Sequence, residues 1–340
     1  MSAPTRPFGR AGLRVGPLGF GAAPIGNLGR EVTEEEWAGA VPAAWDAGVR
    51  YFDTAPHYGL GLAERRMREG LAGRPRDEFV ISTKVGRLLA PVEDPGDAMD
   101  SEGFAVPATH VRVRDYSRDG IMRSLESSLE RLGLDRVDIL LVHDPDDHYS
   151  EALNGAFPAL EELRAQGVIR SYGAGMNQSE MLADFVRHTD LDVVMLAGRY
   201  SLLEQPALEE FLPLCAERNV SVIAAGVFNS GLLARARPRP GATYNYEPAP
   251  AELVERANRL ADVCERHGVT LPAAAAQFAL GHPAVATVCL GARSAEQIAR
   301  NATLFEVAIP DDLWAELKAQ GLLRDDAPVP SGGVSAPTTR

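Results

Sequence analysis

Four side chains able to move a proton to or from a carbonyl oxygen stand at comparable places in this chain: Asp53, Tyr58, Lys84 and His143. Asp53 and Tyr58 belong to Arg50-Tyr-Phe-Asp-Thr-Ala-Pro-His-Tyr-Gly59, Lys84 closes Val80-Ile-Ser-Thr-Lys84, and His143 closes Val137-Asp-Ile-Leu-Leu-Val-His143. Each run is apolar, β-prone and polar at its end, as a buried parallel strand is where it emerges. A phenol, with a reference pKa of about 10, is a poor base at neutral pH. A neighbouring ammonium is expected to lower that value, and a carboxylate would keep the ammonium charged and aimed. An imidazole would hydrogen-bond the reacting oxygen and orient it. Taken singly, Tyr58 could be an interface aromatic, His143 a satisfied core histidine and Asp53 a helix cap. Four together at strand mouths point to chemistry. Lys84 adds internal evidence, because the chain has 34 Lys plus Arg but only two lysines, Lys84 and Lys318. Where generic positive charge serves, arginine is used, so a lysine ending an apolar strand implies a need for a compact ammonium.

The elements that must carry these residues alternate along the chain. Pro7 to Gly16 reads as a hairpin and Pro17 to Gly21 as a first strand. A capping box at Thr33–Glu36 opens a helix, and Tyr51–Asp53, Phe79–Lys84, Val137–His143, Ile169–Gly175, Val193–Leu196, Ser221–Ala225 and Val285–Leu290 read as strands separated by helices. About thirty residues from Val85 to Ser117 break the pattern, and a stretch that long directly after the Lys84 strand reads as a lid over the site, with disorder the competing reading. Val227–Pro250 is a second long loop. The expected fold is α/β: one (β/α)8 barrel over residues 1–322, with an N-terminal hairpin, long βα loops and a loose tail over 323–340. A doubly wound sheet is the rival. Its dinucleotide fingerprint fails, because the third glycine positions after Gly19-Phe-Gly21 and Gly173-Ala-Gly175 hold Pro24 and Gln178.

A net charge of −13 argues against nucleic acid or an anionic membrane as partner. No apolar run is long enough to span a bilayer and no signal peptide is evident. Cys215, Cys264 and Cys289 follow no metal spacing and fit free thiols in a reducing cytoplasm. The expected partner is a small-molecule substrate, with the chain a monomer or small homo-oligomer.

These residues resemble the aldo-keto reductases over nearly the whole chain, from Leu13-Arg-Val-Gly-Pro-Leu-Gly-Phe-Gly21 to Asn301. The specific signatures are Asp53-Thr-Ala-Pro-His-Tyr-Gly59, Thr83-Lys84, Leu141-Val-His143 and Gly291-Ala-Arg-Ser-Ala-Glu-Gln-Ile298. The resemblance implies a (β/α)8 barrel and hydride transfer with NAD or NADP held without a Rossmann fold. It places the catalytic tetrad on Asp53, Tyr58, Lys84 and His143. It implies an adenosine-phosphate clamp at Gly291, Arg293, Ser294, Gln297 and Asn301, with Gly231 in the loop after the seventh strand. Asn177 and Gln178 are implied for the carboxamide. Phe228 stands in for a ring-stacking tyrosine, because Ala225 or Gly226 occupies that tyrosine's place. Many members carry a second arginine where this chain has Gln297, which leaves the choice between NAD and NADP open. Ser294 and Gln297 also read as an ordinary S-x-x-Q helix cap.

Within the family, Gly175-Met-Asn-Gln178, Ala197-Gly-Arg-Tyr-Ser-Leu-Leu-Glu-Gln205 and Gly226-Val-Phe-Asn-Ser-Gly-Leu-Leu233 are most similar to a branch that oxidises aldoses at C1 to lactones. Related enzymes act likewise on pyridoxal, and a general aldehyde or ketone reductase is the broader alternative. Substrate contacts are expected from His57, Arg114, Tyr116, His148, Arg199 and Asn229. Two readings from other classes are a metal-dependent barrel hydrolase using Asp53, His57, His143 and Asp144, although no H-x-H or H-x-x-x-H spacing supports it, and a non-catalytic nucleotide-binding subunit.

Overall fold

The computed structural model describes residues 5–245 and 247–330. Eight parallel strands close into a barrel: β1 Leu18–Gly21, β2 Tyr51–Asp53, β3 Val80–Val85, β4 Ile139–His143, β5 Ser171–Met176, β6 Val193–Ala197, β7 Ser221–Ala225 and β8 Val285–Gly291. The helices are α1 Glu34–Asp46, α2 Leu62–Gly70, α3 Arg118–Leu132, α4 Phe157–Ala165, α5 Ser179–His188, α6 Phe211–Arg218, α7 Ala251–Arg266, α8 Leu271–Phe278, α9 Ala295–Thr303 and α10 Asp311–Ala319. The capping box forms as expected: Thr33 Oγ1 accepts from the Glu36 amide, and Glu36 Oε2 accepts from the Thr33 amide at 3.0 Å.

Strand periodicity sorts side chains between two cores. Tyr51, Val80, Ile139, Leu141, Val193, Met195, Ile223 and Cys289 pack inside the barrel, whereas Phe52, Ile81, Leu140 and Val142 pack outward under the helices. Continuing the same alternation, Asp53, Lys84 and His143 point into the barrel at its upper rim. The N-terminal hairpin, Arg6–Phe8 paired with Leu13–Val15, plugs the opposite end. There Phe8 meets Tyr51 edge-on at 5.1 Å, and Arg6 donates to the Val285 carbonyl at 2.8 Å. The chemistry is thus confined to the C-terminal mouth.

The patternless stretch after β3 is ordered, which corrects the disorder reading. Arg87–Pro91 pairs antiparallel with His110–Arg114, and the excursion between them is stapled to the loop after β1. Asn27 donates to the Ala105 carbonyl, Gly29 to Gly103 and the Ala105 amide to Asn27. Phe104, Leu60 and Val106 form a small separate core beneath it. The two five-residue strands cover arginines (Arg87, Arg112) and turn Val111 and Val113 outward, which reverses the usual inside-apolar pattern, and that is why this ribbon escaped detection. Residues 323–330 do not form the loose tail expected from Leu323. Leu323 and Ala327 are buried, and Lys318 Nζ donates to the Asp325 carbonyl at 2.9 Å. The rest of that expectation, residues 331–340, lies outside the described residues.

Candidate functional site

The loop after β2 turns tightly to bring Tyr58 over the barrel axis. Gly59 (φ +62°), Leu60 (φ +52°) and Gly61 (φ +80°) all take left-handed backbone. A Cβ on Gly59 would lie 2.2 Å from the Gly26 carbonyl oxygen, so this loop and the one after β1 can touch only through glycine. Lys84, buried at 2 % exposure, reaches up from β3. Its Nζ donates to Asp53 Oδ2 at 2.7 Å, to the Thr54 carbonyl at 3.0 Å, and lies 2.9 Å from the Tyr58 hydroxyl. Asp53 Oδ1 accepts from Ser82 Oγ at 2.7 Å, and Ser82 lies 2.9 Å from the Tyr51 hydroxyl. Ser82 faces inward two residues before Lys84 on the same strand. Period-two alternation back from Lys84 could have identified it.

Burial opposes the Lys84 ammonium, but Asp53 and Tyr58 outweigh it and raise its pKa above the ordinary value. For Tyr58 the balance differs from the expectation. Burial pushes the phenol up to about 12, and the lowering by Lys84 recovers only part of that. The phenol is therefore held protonated beside a charged lysine. The correction has a simple origin: a phenolate loses its hydration on burial, and residue types alone do not report burial.

His143 ends β4, with its ring 5.8 Å from that of Tyr58 and 5.4 Å from that of His57. Burial, with Arg87 and Lys84 adding repulsion, lowers its pKa well below the usual range, so the ring is neutral. Its Nδ1 has no partner among the described residues, and its Nε2 lies 3.6 Å from Asp144 Oδ2. His57 is likewise neutral, pushed down to about 2 by burial and by Arg87 and Arg112. Phe104 lies 5.2 Å from the His57 ring and 6.1 Å from the Tyr58 ring, and Arg112 donates to the His57 carbonyl. The ordered ribbon therefore forms a fixed wall beside Tyr58.

The expected substrate residues divide. His57 lies beside Tyr58 and His143. Tyr116 does not face the mouth. Its ring is buried against Gly86, where a Cβ would approach to 2.3 Å, and its hydroxyl donates to the His143 carbonyl at 3.1 Å. It supports the strand end from below. Arg114 is exposed on the ribbon, and His148 pairs with Glu151 at 3.4 Å and lies tilted 5.2 Å from the Tyr116 ring. Arg199 and Asn229 converge on Glu204, at 3.3 and 3.4 Å, where Tyr244 also donates, and this ties the loops after β6 and β7 together. Asp53, His57, His143 and Asp144 do not assemble as a metal site: no group of three His, Cys, Asp or Glu able to hold a metal ion occurs among the described residues.

At the far side of the mouth, Arg293 precedes α9. Its Nη2 donates to the Leu28 carbonyl at 2.7 Å, and its buried Nε has no partner among the described residues. Ser294 caps α9 by accepting from the Gln297 amide. Gln297 Oε1 accepts from the Arg293 amide at 2.9 Å, so both side chains fix the helix start. Asn301 Nδ2 reaches the Gly291 carbonyl at 3.5 Å. A helix N-terminus with an unsatisfied guanidinium NH beside it suits a phosphate-bearing nucleotide. Gln178 donates to Asp146, Asn177 is exposed, and Phe228 packs half-buried against the core. Gly231 takes φ +93° in the loop after β7.

Residues 17–321 match the model of the aldo/keto reductase family. The chain is 48 % identical to a D-threo-aldose 1-dehydrogenase of Pseudomonas sp, covering 92 % of this chain and 96 % of that protein. It is 44 % identical to a pyridoxal 4-dehydrogenase of Microbacterium luteolum, covering 94 % and 97 %. The holo form of the aldo-keto reductase AKR11C1 from Bacillus halodurans superposes with a TM-score of 0.73 at 27 % identity, covering 97 % of this chain and 98 % of that one.

Proposed function

Since the chain belongs to the aldo/keto reductase family and is an NAD(P)-dependent oxidoreductase, we propose that it oxidises an aldose or similar lactol at C1 to the lactone. Tyr58 exchanges the proton, Lys84 stabilises the phenolate, Asp53 holds Lys84 charged, and His143 orients the reacting oxygen. The observation that carries the tetrad assignment is the Lys84 ammonium lodged between the Asp53 carboxylate and the Tyr58 hydroxyl, at 2.7 and 2.9 Å. A protonated phenol beside an ammonium can give up its proton because the charge left behind is neutralised on the spot. In the oxidative direction the phenol first releases its proton to solvent, and the phenolate, neutralised by the ammonium, then receives the proton of the alcohol. His143, neutral and rigidly supported through Tyr116, has one ring N–H to donate to the oxygen without competing for that proton.

The nicotinamide dinucleotide supplies or accepts the hydride when bound. Arg293, Ser294, Gln297 and Asn301 would hold its adenosine-phosphate end, and Asn177, Gln178, Phe228 and Gly231 its remainder. Arg293 is the one arginine of that group, so discrimination between NAD and NADP falls largely on it. The sugar reading is supported by the identity to the D-threo-aldose 1-dehydrogenase. The comparable identity to the pyridoxal 4-dehydrogenase makes pyridoxal the second substrate to test. Purified protein assayed with NAD and with NADP against L-fucose, D-arabinose, pyridoxal and simple aldehydes decides among them. The expected result is lactone formation from an aldose at a kcat/KM well above that for simple aldehydes. Turnover of pyridoxal alone would replace the sugar reading, and nucleotide binding without turnover of any of these would overturn the enzyme assignment.

A further inference from the structure

The strand-end pair that the tetrad does not use is Asp144, directly after His143 on β4, and Arg87, just beyond Lys84 on β3. Asp144 Oδ2 and Arg87 Nη2 are 2.7 Å apart, and the same carboxylate oxygen lies 3.6 Å from His143 Nε2. Asp144 has φ +38°, in the left-handed region that a non-glycine residue enters at some cost. Its amide donates to the Gly175 carbonyl at 3.1 Å, and its carbonyl accepts from the Tyr116 hydroxyl at 3.3 Å. The backbone is therefore fixed from both sides in a conformation that turns the carboxylate to the same side as the catalytic imidazole. Two further features suggest more than a structural ion pair. Arg87 is 8 % exposed, and its Nε is buried without a partner among the described residues; Asp144 keeps 30 % of its side chain open. A buried guanidinium NH left over, next to a partly open carboxylate, is a donor and acceptor set short of one polar guest.

We propose that the Asp144–Arg87 pair is the specificity element of this mouth, accepting from and donating to the hydroxyl on the carbon next to the one that reacts. Two oxygens on adjacent carbons of a sugar are close enough together to reach both His143 Nε2 and Asp144 Oδ2, which lie 3.6 Å apart. One oxygen can face the imidazole while its neighbour faces the carboxylate. The ligand class is a 2-hydroxy aldehyde or its lactol, in contrast to an aldehyde without that hydroxyl. The inference rests on the reading of Tyr58, Lys84 and His143 as the site of proton transfer. It does not depend on which aldose is the substrate.

The test uses matched substrates in the reductive direction, glyceraldehyde against propanal, with wild type, Asp144→Gly and Arg87→Met. Glycine accepts φ +38° without strain, so Asp144→Gly removes the carboxylate and keeps the turn. The quantity read is the ratio of kcat/KM for glyceraldehyde to that for propanal. Wild type is expected to favour glyceraldehyde roughly 10- to 150-fold, the worth of one hydrogen bond to a charged group, and both variants should bring the ratio near one. A ratio unchanged in both variants, with the two substrates losing equally, would overturn the proposal and make Asp144 only a support for His143. A wild-type ratio near one would overturn it as well. Oxidation of aldoses by wild type, measured in parallel, reports separately on the sugar reading. A 2-hydroxy preference that depends on Asp144 in an enzyme that oxidises no aldose would keep the pair and remove the sugar.

Discussion

Replacing Lys84 by methionine tests whether the ammonium is there to stabilise charge on Tyr58. The side chains are similar in length, but methionine removes all three hydrogen bonds of Nζ, to Asp53, Thr54 and Tyr58. The hydroxyl of Tyr58 lies 2.9 Å from Nζ. At an effective dielectric of about 20, a full phenolate at that distance is stabilised by about 6 kcal/mol. With roughly half the charge developed in the transition state, about 3 kcal/mol is lost, or about 150-fold in kcat. A second effect follows on stability. Asp53, 2 % exposed, would keep only Ser82, and removing one member of a buried ion pair costs about 3–5 kcal/mol. The assays are steady-state turnover followed at the nicotinamide absorbance, and urea unfolding at pH 7.5. Turnover within fivefold of wild type, or unchanged unfolding, would refute the reasoning.

Lys84→Arg should fail as well, because the three acceptors around Nζ converge on one compact nitrogen in a sealed site, and the guanidinium fork cannot satisfy them together; kcat above about a tenth of wild type would contradict this. Glu64, fully buried on α2, accepts from Thr83 Oγ1 at 2.8 Å and from Arg131 Nε at 2.5 Å. Glu64→Ala should therefore lower unfolding free energy by about 3–5 kcal/mol in urea titration, and a loss under about 1 kcal/mol would show the pair to be dispensable. His57, His143 and His282 are all held neutral by burial, with His57 pushed to about 2 and His282 to about 4. The unfolded chain binds protons at these residues below about pH 6.5 while the folded one does not, so stability is lost as pH falls from there, by about 1.4 kcal/mol per unit per histidine. His57→Asn should lessen the drop between pH 7.5 and 5 by about 2 kcal/mol; an identical drop would mean that His57 is protonated in the fold.

Much of the barrel was legible because its information is local. The apolar runs of β2, β3 and β4 end in Asp53, Lys84 and His143, which placed these residues at strand mouths, and their chemical types then suggested the reaction. The scarcity of lysine marked Lys84 before any contact was known. What escaped depends on burial or on distant partners. Tyr116 carries the same polar tip as a substrate contact, yet the space left by Gly86 draws it beneath the site. The ribbon after β3 consists of short strands that cover Arg87 and Arg112 and expose Val111 and Val113, the reverse of the usual pattern. The Tyr58 phenol was expected to be acidified by its cationic neighbour, but burial of the phenol outweighs Lys84. Asp144 entered the sequence reading only as a ligand of the rival metal site, and Arg87 not at all. Only the left-handed turn and the unpaired Nε distinguish them.

The most direct measurement is the turnover of Tyr58→Phe alongside its affinity for the dinucleotide, titrated by fluorescence. Removing one oxygen should lower kcat by about 10²-fold or more, the usual worth of a positioned proton donor, while the dissociation constant stays within a few-fold of wild type. Near-normal kcat in that variant would contradict the assignment of proton transfer to Tyr58 and with it the role of the Lys84–Asp53 pair.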